Sequence, residues 1–176
     1  MAGVCRGDKA ALEGLLQRHQ ARVRSMAYRL LGDWHLAEDV AQETFVRLYR
    51  AACTYKPQAK FTTWLYRIVY NLAVDQQRRR ANAPVSLDAA QEEPEDPSGS
   101  RPVELEQREL AEQVQRAIAR LPERQRRVLL LHRYEDLSHG DIAQVTGWSP
   151  SAVESLLVRA YTRLREELKT LEDSLS

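Results

Sequence analysis

Between residues 55 and 80 the chain interleaves Tyr55, Phe61, Trp64, Tyr66 and Tyr70 with Lys56, Lys60, Arg67, Arg78, Arg79 and Arg80. Ring faces stack on or wedge beside unpaired bases, each stacked base contributing about 1–3 kcal/mol, while the cations between them hold the strand's phosphates. The chemistry this mixture suits is the handling of opened nucleic acid. Two plainer readings stand beside it: Phe61 and Trp64 as core aromatics, and the triple arginine as a solvated helix end that complements the dipole.

A second constellation runs from Ser138 to Arg159. Ser138-His-Gly-Asp-Ile-Ala-Gln-Val-Thr-Gly147 followed by Ser149-Pro150 predicts a short capped helix, a glycine turn and a second capped helix, the layout of a helix-turn-helix docked in the major groove. Ile142, Ala143, Val145, Val153 and Leu157 are expected to face inward, with Ala143 allowing close approach of the two helices. Ser149, Ser151, Ser155 and Arg159 fall on the face that would meet DNA, where hydroxyls suit phosphates and bases and an arginine binds guanine or phosphate. Glu154 is the odd member, either accepting from cytosine's amino group or pointing aside. An ordinary helical hairpin within a bundle is the alternative.

A third feature is an acidic ridge, Glu38 and Asp39-Val-Ala-Gln-Glu43, interrupted by Gln42, with Phe45 and Leu48 turning inward. On an otherwise basic block it suits docking of a basic protein partner, or else is a solvated helix face with its acids near the N-terminus.

Bond-making chemistry has no visible candidate. His19, His35, His132 and His139 show no zinc spacing with Cys5 and Cys53, and neither a Ser-His-Asp set nor a glycine-rich phosphate loop occurs, so no catalytic residue, metal or cofactor is expected. The two cysteines form no Cys-x-x-Cys pair, which predicts neither a disulfide framework nor a metal knuckle and favours a reducing cytoplasm. No apolar run approaches the roughly 18 residues of a membrane span, and the first residues lack the regions of a signal peptide.

The elements that must position these residues follow from periodicity. Leu12, Leu15, Leu16, His19, Val23, Met26, Ala27, Leu30 and Leu31 put an apolar stripe on a helix capped by Asp8 and stopped at Gly32-Asp33; Leu36, Val40, Phe45, Leu48 and Tyr49 mark a second; and a third runs from about Thr62 to Arg80 beyond a loop at residues 53–60. Residues 83–102 hold Pro84, Pro94, Pro97, Pro102, Gly99 and several acids with almost no large apolar groups, the composition of a flexible tether. Periodicity returns at Leu105, Leu110, Val114, Ile118 and Leu121, and Pro122 is expected in the first turn of a further helix. The helix after Pro150 should run to about Leu171. No β pattern competes.

The expectation is therefore an all-α chain: a domain over 1–83, an acidic linker over 84–104 and a domain over 105–176. Domains this small bury only about 60% of their unfolded surface. The net charge of +1 conceals an asymmetry, since residues 1–83 carry fourteen basic and seven acidic side chains, residues 84–107 one and seven, and residues 108–176 eleven of each. A basic block beside an acidic tether fits a phosphate-binding surface next to a segment that avoids phosphate.

At these residues the sequence resembles a bacterial RNA polymerase sigma factor of the extracytoplasmic-function (ECF) group. Ala37-Glu-Asp-Val-Ala-Gln-Glu-Thr-Phe45 is similar to the region-two segment that binds the clamp helices of the polymerase largest subunit. Phe61-Thr-Thr-Trp-Leu-Tyr-Arg-Ile-Val-Tyr-Asn71, with Asp75 and Arg78-Arg79, resembles the part that melts and reads the −10 element. Leu121-Pro-Glu-Arg-Gln-Arg-Arg-Val128 and the helix-turn-helix resemble region four, which reads the −35 element and touches the polymerase flap.

The resemblance implies a protein that binds core polymerase, recognises both promoter elements, promotes melting and catalyses nothing itself, under an anti-sigma factor's control. It implies polymerase docking by Glu38, Asp39, Gln42, Glu43 and Phe45. It implies −10 contacts by Tyr55, Lys56, Lys60, Phe61, Thr63, Trp64, Arg67, Asn71, Arg78 and Arg79, with Asn71 and the Tyr55–Lys60 loop receiving a flipped base. It implies −35 contacts by Arg126, Ser149, Ser151, Glu154, Ser155 and Arg159. Glu154 and Leu156 stand where basic residues are frequent, so the −35 preference is not carried over. A stand-alone helix-turn-helix regulator would leave the ridge and the basic-aromatic helix without a purpose, and a nucleic-acid enzyme would need a carboxylate or metal-ligand set.

Overall fold

The structure, a computed structural model, describes residues 1–57, 59–82 and 105–175. The linker expected over 84–104 lies outside the described residues. Among those described, every regular element is an α-helix, and the chain forms two compact units, one built on each half.

The first unit holds α1 (Ala2–Cys5), α2 (Lys9–Leu31), α3 (Trp34–Arg50) and α4 (Phe61–Asn82). Local chemistry sets their ends. Asp8 accepts from the Ala11 amide at 3.1 Å and so satisfies one orphan donor of α2. Gly32, at φ 66°, closes α2 in the left-handed region that favours glycine. Asp33 then caps α3 by accepting from the Leu36 amide, also at 3.1 Å. A two-residue connection thus turns α3 back against α2.

The core of this unit comes from one stripe on each long helix. Val23, Met26, Ala27 and Leu30 of α2 meet the layer formed by Ala37, Val40, Ala41, Thr44 and Leu48 of α3 and by Leu65, Tyr66, Val69, Leu72 and Ala73 of α4, all buried. The one hydroxyl in the α3 stripe is satisfied, since Thr44 Oγ1 donates to the Val40 carbonyl at 2.7 Å. Gln77 of α4 donates its amide to the Leu30 carbonyl at 2.7 Å, covering an orphan acceptor in the last turn of α2. Tyr66 and Tyr70, two of the aromatics considered for base stacking, are buried in this core.

The short helix α1 was not expected. It carries buried Val4 against α2, and a disulfide joins Cys5 to Cys53 in the turn after α3. This corrects the expectation that the two cysteines form no disulfide framework. A sequence separation of 48 residues hides a Cα–Cα distance of 4.7 Å, because α2 and α3 run out and back and return the chain to its start.

The second unit holds α5 (Leu105–Ala119), α6 (Glu123–Tyr134), α7 (His139–Thr146) and α8 (Pro150–Leu175). Long α8 packs against α5 and α6, and Ile118, Leu121, Val128, Leu131, Ile142, Val153, Leu157 and Ala160 are buried. Three details differ from expectation. Pro122 is the N-cap of α6 with extended ψ (139°) rather than its first helical residue, Leu110 is 58% exposed although it continues the apolar period, and α8 extends past Leu171 to Leu175. Asp136 adopts φ 53° between α6 and α7, a conformation that Asp tolerates better than most residues.

The helix-turn-helix itself follows its caps. The Asp141 amide donates to Ser138 Oγ at 3.1 Å, and the same hydroxyl donates to the Asp141 carboxylate at 2.6 Å, so the acid three residues on also holds the capping serine. Gly147 takes φ 76° in the turn. Ser149 Oγ accepts from the Ala152 amide at 3.2 Å and starts α8 just before Pro150. Val145 is buried as expected, while Ala143 is only half-buried.

Candidate functional site

Three surfaces carry the residues singled out by the sequence. The first lies between α2 and α3, where Leu12 and Leu16 face Ala41, Phe45, Val46 and Tyr49 across an apolar groove of about 660 Å³. Phe45 is half-buried in it, while Val46 and Tyr49 are 41% and 55% exposed. Exposed apolar residues concentrated on one groove, rather than scattered singly, mark a surface suited to a partner. Glu38 and Gln42 sit on its rim with Arg24 and Arg50.

The rim charges are only loosely occupied. Glu38 pairs with Arg24 at 3.6 Å, both about two-fifths exposed, and Glu43 accepts from Arg47 one turn on at 2.9 Å. Exposed pairs of this kind are worth about 0–1 kcal/mol, so a basic partner can displace them at little cost. Of the expected ridge, Glu38 and Gln42 line the groove, while Asp39 is exposed and Glu43 half-buried outside its lining. The apolar period of α3 places Tyr49 in the core stripe and passes over Val46, three residues earlier on the same helix; both instead line the groove against α2.

The second surface is the outward face of α4. Trp64, Arg67, Asn71, Asp75 and Arg78 recur at three and four residues, half-buried or exposed, opposite the buried Leu65, Val69 and Ala73. At its N-terminal end Tyr55, Phe61 and Trp64 form a ring cluster, with Tyr55 edge-on to Trp64 at 4.8 Å and to Phe61 at 6.1 Å between centroids. Neither plain reading of these rings is complete, since Phe61 and Trp64 are both half-buried, packed on one side and open on the other. Lys56 and Lys60 are exposed beside them, as are Arg79 and Arg80 at the far end, where Arg80 reaches Asp33 at 3.3 Å. Arg78 lies 3.8 Å from Asp75, which keeps part of its charge at home. Thr63 differs from the other residues expected here in its burial, at 2% exposure.

His19 of α2 supports the ring cluster from behind, 5.3 Å from Phe61. Burial first, then the positive charges of Arg18 and Arg22, push its pKa below the ordinary 6.5. The fold prefers the neutral ring. With the folded value below the unfolded one, the stability this site contributes is complete above pH 6.5 and lost as pH falls through the folded pKa. Urea midpoints for the wild type should therefore decline below that pH, and His19→Gln is expected to flatten part of the decline.

The third surface belongs to α8. Ser149, Ser151, Ser155 and Arg159 are exposed, and Ser149 and Ser151 share a hydrogen bond at 3.2 Å. Glu154 borders a different depression, with His132, His139, Val158 and Tyr161, in which His132 Nδ1 lies 3.1 Å from the Tyr161 hydroxyl. Of the two roles open to Glu154, pointing aside fits this placement. Arg126 donates to the Ala119 carbonyl at 3.4 Å and so bridges α5 and α6; a guanidinium keeps other donors for a phosphate. Among the described residues no group of three or more His, Cys, Asp or Glu could hold a metal ion, and no helix is long and apolar enough to cross a membrane.

Both units are similar to known proteins. Sigma-70 region 2 matches residues 15–83, and sigma-70 region 4 matches residues 111–164. The chain is 34% identical to the RNA polymerase sigma-H factor of Pseudomonas aeruginosa, over 96% of this chain and 91% of that protein. It is 30% identical to the ECF RNA polymerase sigma factor SigW of Bacillus subtilis, over 96% and 94%. Among solved structures, CnrH in complex with the cytosolic domain of CnrY is 26% identical with a TM-score of 0.69, over 96% of this chain and 94% of that one. The fold is also that of the sigma factor RpoE of Bartonella quintana, solved with the anti-sigma factor NepR, at TM-score 0.70 and 23% identity over 89% and 96%. With sigma regions 2 and 4 in order and relatives matched over nearly their whole length, the chain belongs to the extracytoplasmic-function group of RNA polymerase sigma factors.

Proposed function

We propose that this sigma factor docks on core RNA polymerase through the α2–α3 groove and the acids of α3, captures the melted −10 strand along the outward face of α4, and reads the −35 element in duplex DNA with the start of α8. The observation that carries the reading is the separation of two chemistries within the first unit. An apolar groove with Glu38, Gln42, Arg24 and Arg50 on its rim lies between α2 and α3, whereas the exposed stripe of α4 combines rings, cations and an amide. Acids repel phosphate and apolar grooves take protein, while rings and cations take a single strand.

In this reading Glu38, Asp39, Gln42, Glu43 and Phe45 serve the polymerase, joined by Val46 and Tyr49. Tyr55, Lys56, Lys60, Phe61, Trp64, Arg67, Asn71, Arg78 and Arg79 serve the −10 strand, with Asn71 and the ring cluster holding a flipped base. Ser149, Ser151, Ser155 and Arg159 serve the −35 element, with Arg126 on a phosphate. Residues 1–83 and 105–176 act as the two functional domains, joined through 84–104. The protein supplies recognition and melting, and the polymerase supplies the reaction. It works in the cytoplasm under an anti-sigma factor that covers the same surfaces.

A mobility-shift assay on a promoter duplex, with and without core polymerase, tests the division of labour. The second unit's even balance of charges predicts weak binding alone and a stable complex only with polymerase. Tight sequence-specific binding by the chain alone would instead favour a stand-alone regulator.

A further inference from the structure

We propose that Cys5 and Cys53 form a reversible thiol–disulfide site that sets the order of the Thr54–Lys56 segment, and through it the readiness of Tyr55 to receive a base. The second half of this statement rests on the single-strand role proposed above for the ring cluster.

The geometry makes the pair a clamp between two parts of the first unit. Its N-terminal end is anchored: Val4 is buried, the Asp8 amide donates to the Gly3 carbonyl at 3.0 Å, and Gly3 approaches α2 so closely that a Cβ there would lie 2.8 Å from the Ala11 Cβ. Its other end is a turn. Past Ala52, the last buried residue after α3, the backbone is held by the Thr54 amide donating to the Ala51 carbonyl at 3.1 Å. Cys53 stands in that turn, two residues before Tyr55, whose ring packs against Trp64. A cross-link at Cys53 therefore ties the entry to the ring cluster to an element already fixed on α2.

Both cysteines are exposed and are the chain's only two, so small reagents can reach them and no other intramolecular pairing competes. Closure requires an oxidant, here a peroxide. One thiolate attacks the peroxide O–O bond and becomes a sulfenic acid as water leaves; the second thiolate attacks that sulfur, forming the S–S bond and releasing a second water once protons are counted. Two thiols are oxidised and one peroxide is reduced. A low-molecular-weight dithiol reverses the step through a mixed disulfide and leaves as its own cyclic disulfide.

The test uses the full chain, reduced with dithiothreitol or treated with hydrogen peroxide, with iodoacetamide labelling read by intact mass. Peroxide should remove both labels and dithiothreitol should restore both. Hydrogen exchange at the amides of Thr54, Tyr55 and Lys56 should slow by about tenfold in the oxidised form, as a constraint that lowers the open population by that factor requires. Cys5→Ser and Cys53→Ser should each abolish the difference. Two labels retained after peroxide, or equal exchange in both forms, overturns the proposal. Coupling to base capture is read separately, as binding of a single-stranded promoter oligonucleotide to holoenzyme assembled with oxidised wild type or with Cys53→Ser. Binding about tenfold weaker with the variant is expected from lost preorganisation. Equal binding, with the exchange difference intact, overturns the coupling while leaving the thiol–disulfide site in place. Loss of binding by Trp64→Ala in the same assay shows separately whether the ring cluster holds the strand.

Discussion

Val46→Asp combined with Tyr49→Asp is expected to weaken binding to core polymerase by roughly 30-fold or more, the loss that corresponds to about 2 kcal/mol at an interface hot spot. Both side chains are about half exposed on the free chain, so replacing them should lower its folding stability by only about 1 kcal/mol, through helix propensity and the helix dipole. The effect therefore falls on the complex. A carboxylate in an apolar groove must shed its water when the partner arrives, with nothing in the groove to replace it. Titration of core polymerase with labelled protein measures the loss, and urea unfolding of the same variants checks that the fold is intact. A doubly substituted protein that unfolds normally and binds polymerase as wild type would remove the groove from the account.

Leu48→Ala, two residues from Val46 on the same helix, is expected to do the opposite: harm the fold before the interface. Leu48 is fully buried where α3 meets its neighbours, and removing most of a leucine there costs about 2–5 kcal/mol through lost burial and the cavity left behind. A unit of this size holds a total stability on the order of 5–10 kcal/mol, so much of its margin disappears. Urea denaturation followed by far-ultraviolet circular dichroism should show the midpoint for the first unit falling sharply. Binding to polymerase should fall in proportion to the unfolded fraction. Together the two substitutions separate the face of α3 that holds the unit together from the face that waits for a partner.

The parts of this arrangement that the sequence disclosed are those decided within a few residues. Asp8, Ser138 and Ser149 cap the helices they precede, and Gly32 and Gly147 take positive φ where helices end. Each of these is a contact over three or four positions, which is the range at which residue type alone fixes geometry. The serines and arginine of α8 were likewise legible, because a helix of known phase assigns its faces.

What sequence reading missed depends on how helices meet. Tyr49 continues the apolar period of α3 yet is 55% exposed, because it lies on the side of α3 that forms the open groove with Leu12 and Leu16 of α2. Thr63, Tyr66 and Tyr70 share a helix with Trp64 and Arg67 but turn into the core, and only the packing of α4 on α2 and α3 decides which residues of a mixed helix are covered. The Cys5–Cys53 bond joins positions that are distant along the chain and brought together by an out-and-back helix pair. Helix α1, four residues long, is too short to show any periodicity.

Run-off transcription reconstituted from core polymerase and this protein, on templates drawn from a library of candidate promoters, tests the central claim most directly. Wild type is expected to produce discrete promoter-dependent transcripts that core polymerase alone does not make, and Asp39→Ala/Glu43→Ala is expected to reduce their yield while leaving their start sites unchanged. Absence of any promoter-dependent transcript from wild type across the library, with the folded protein bound to core, would contradict the account.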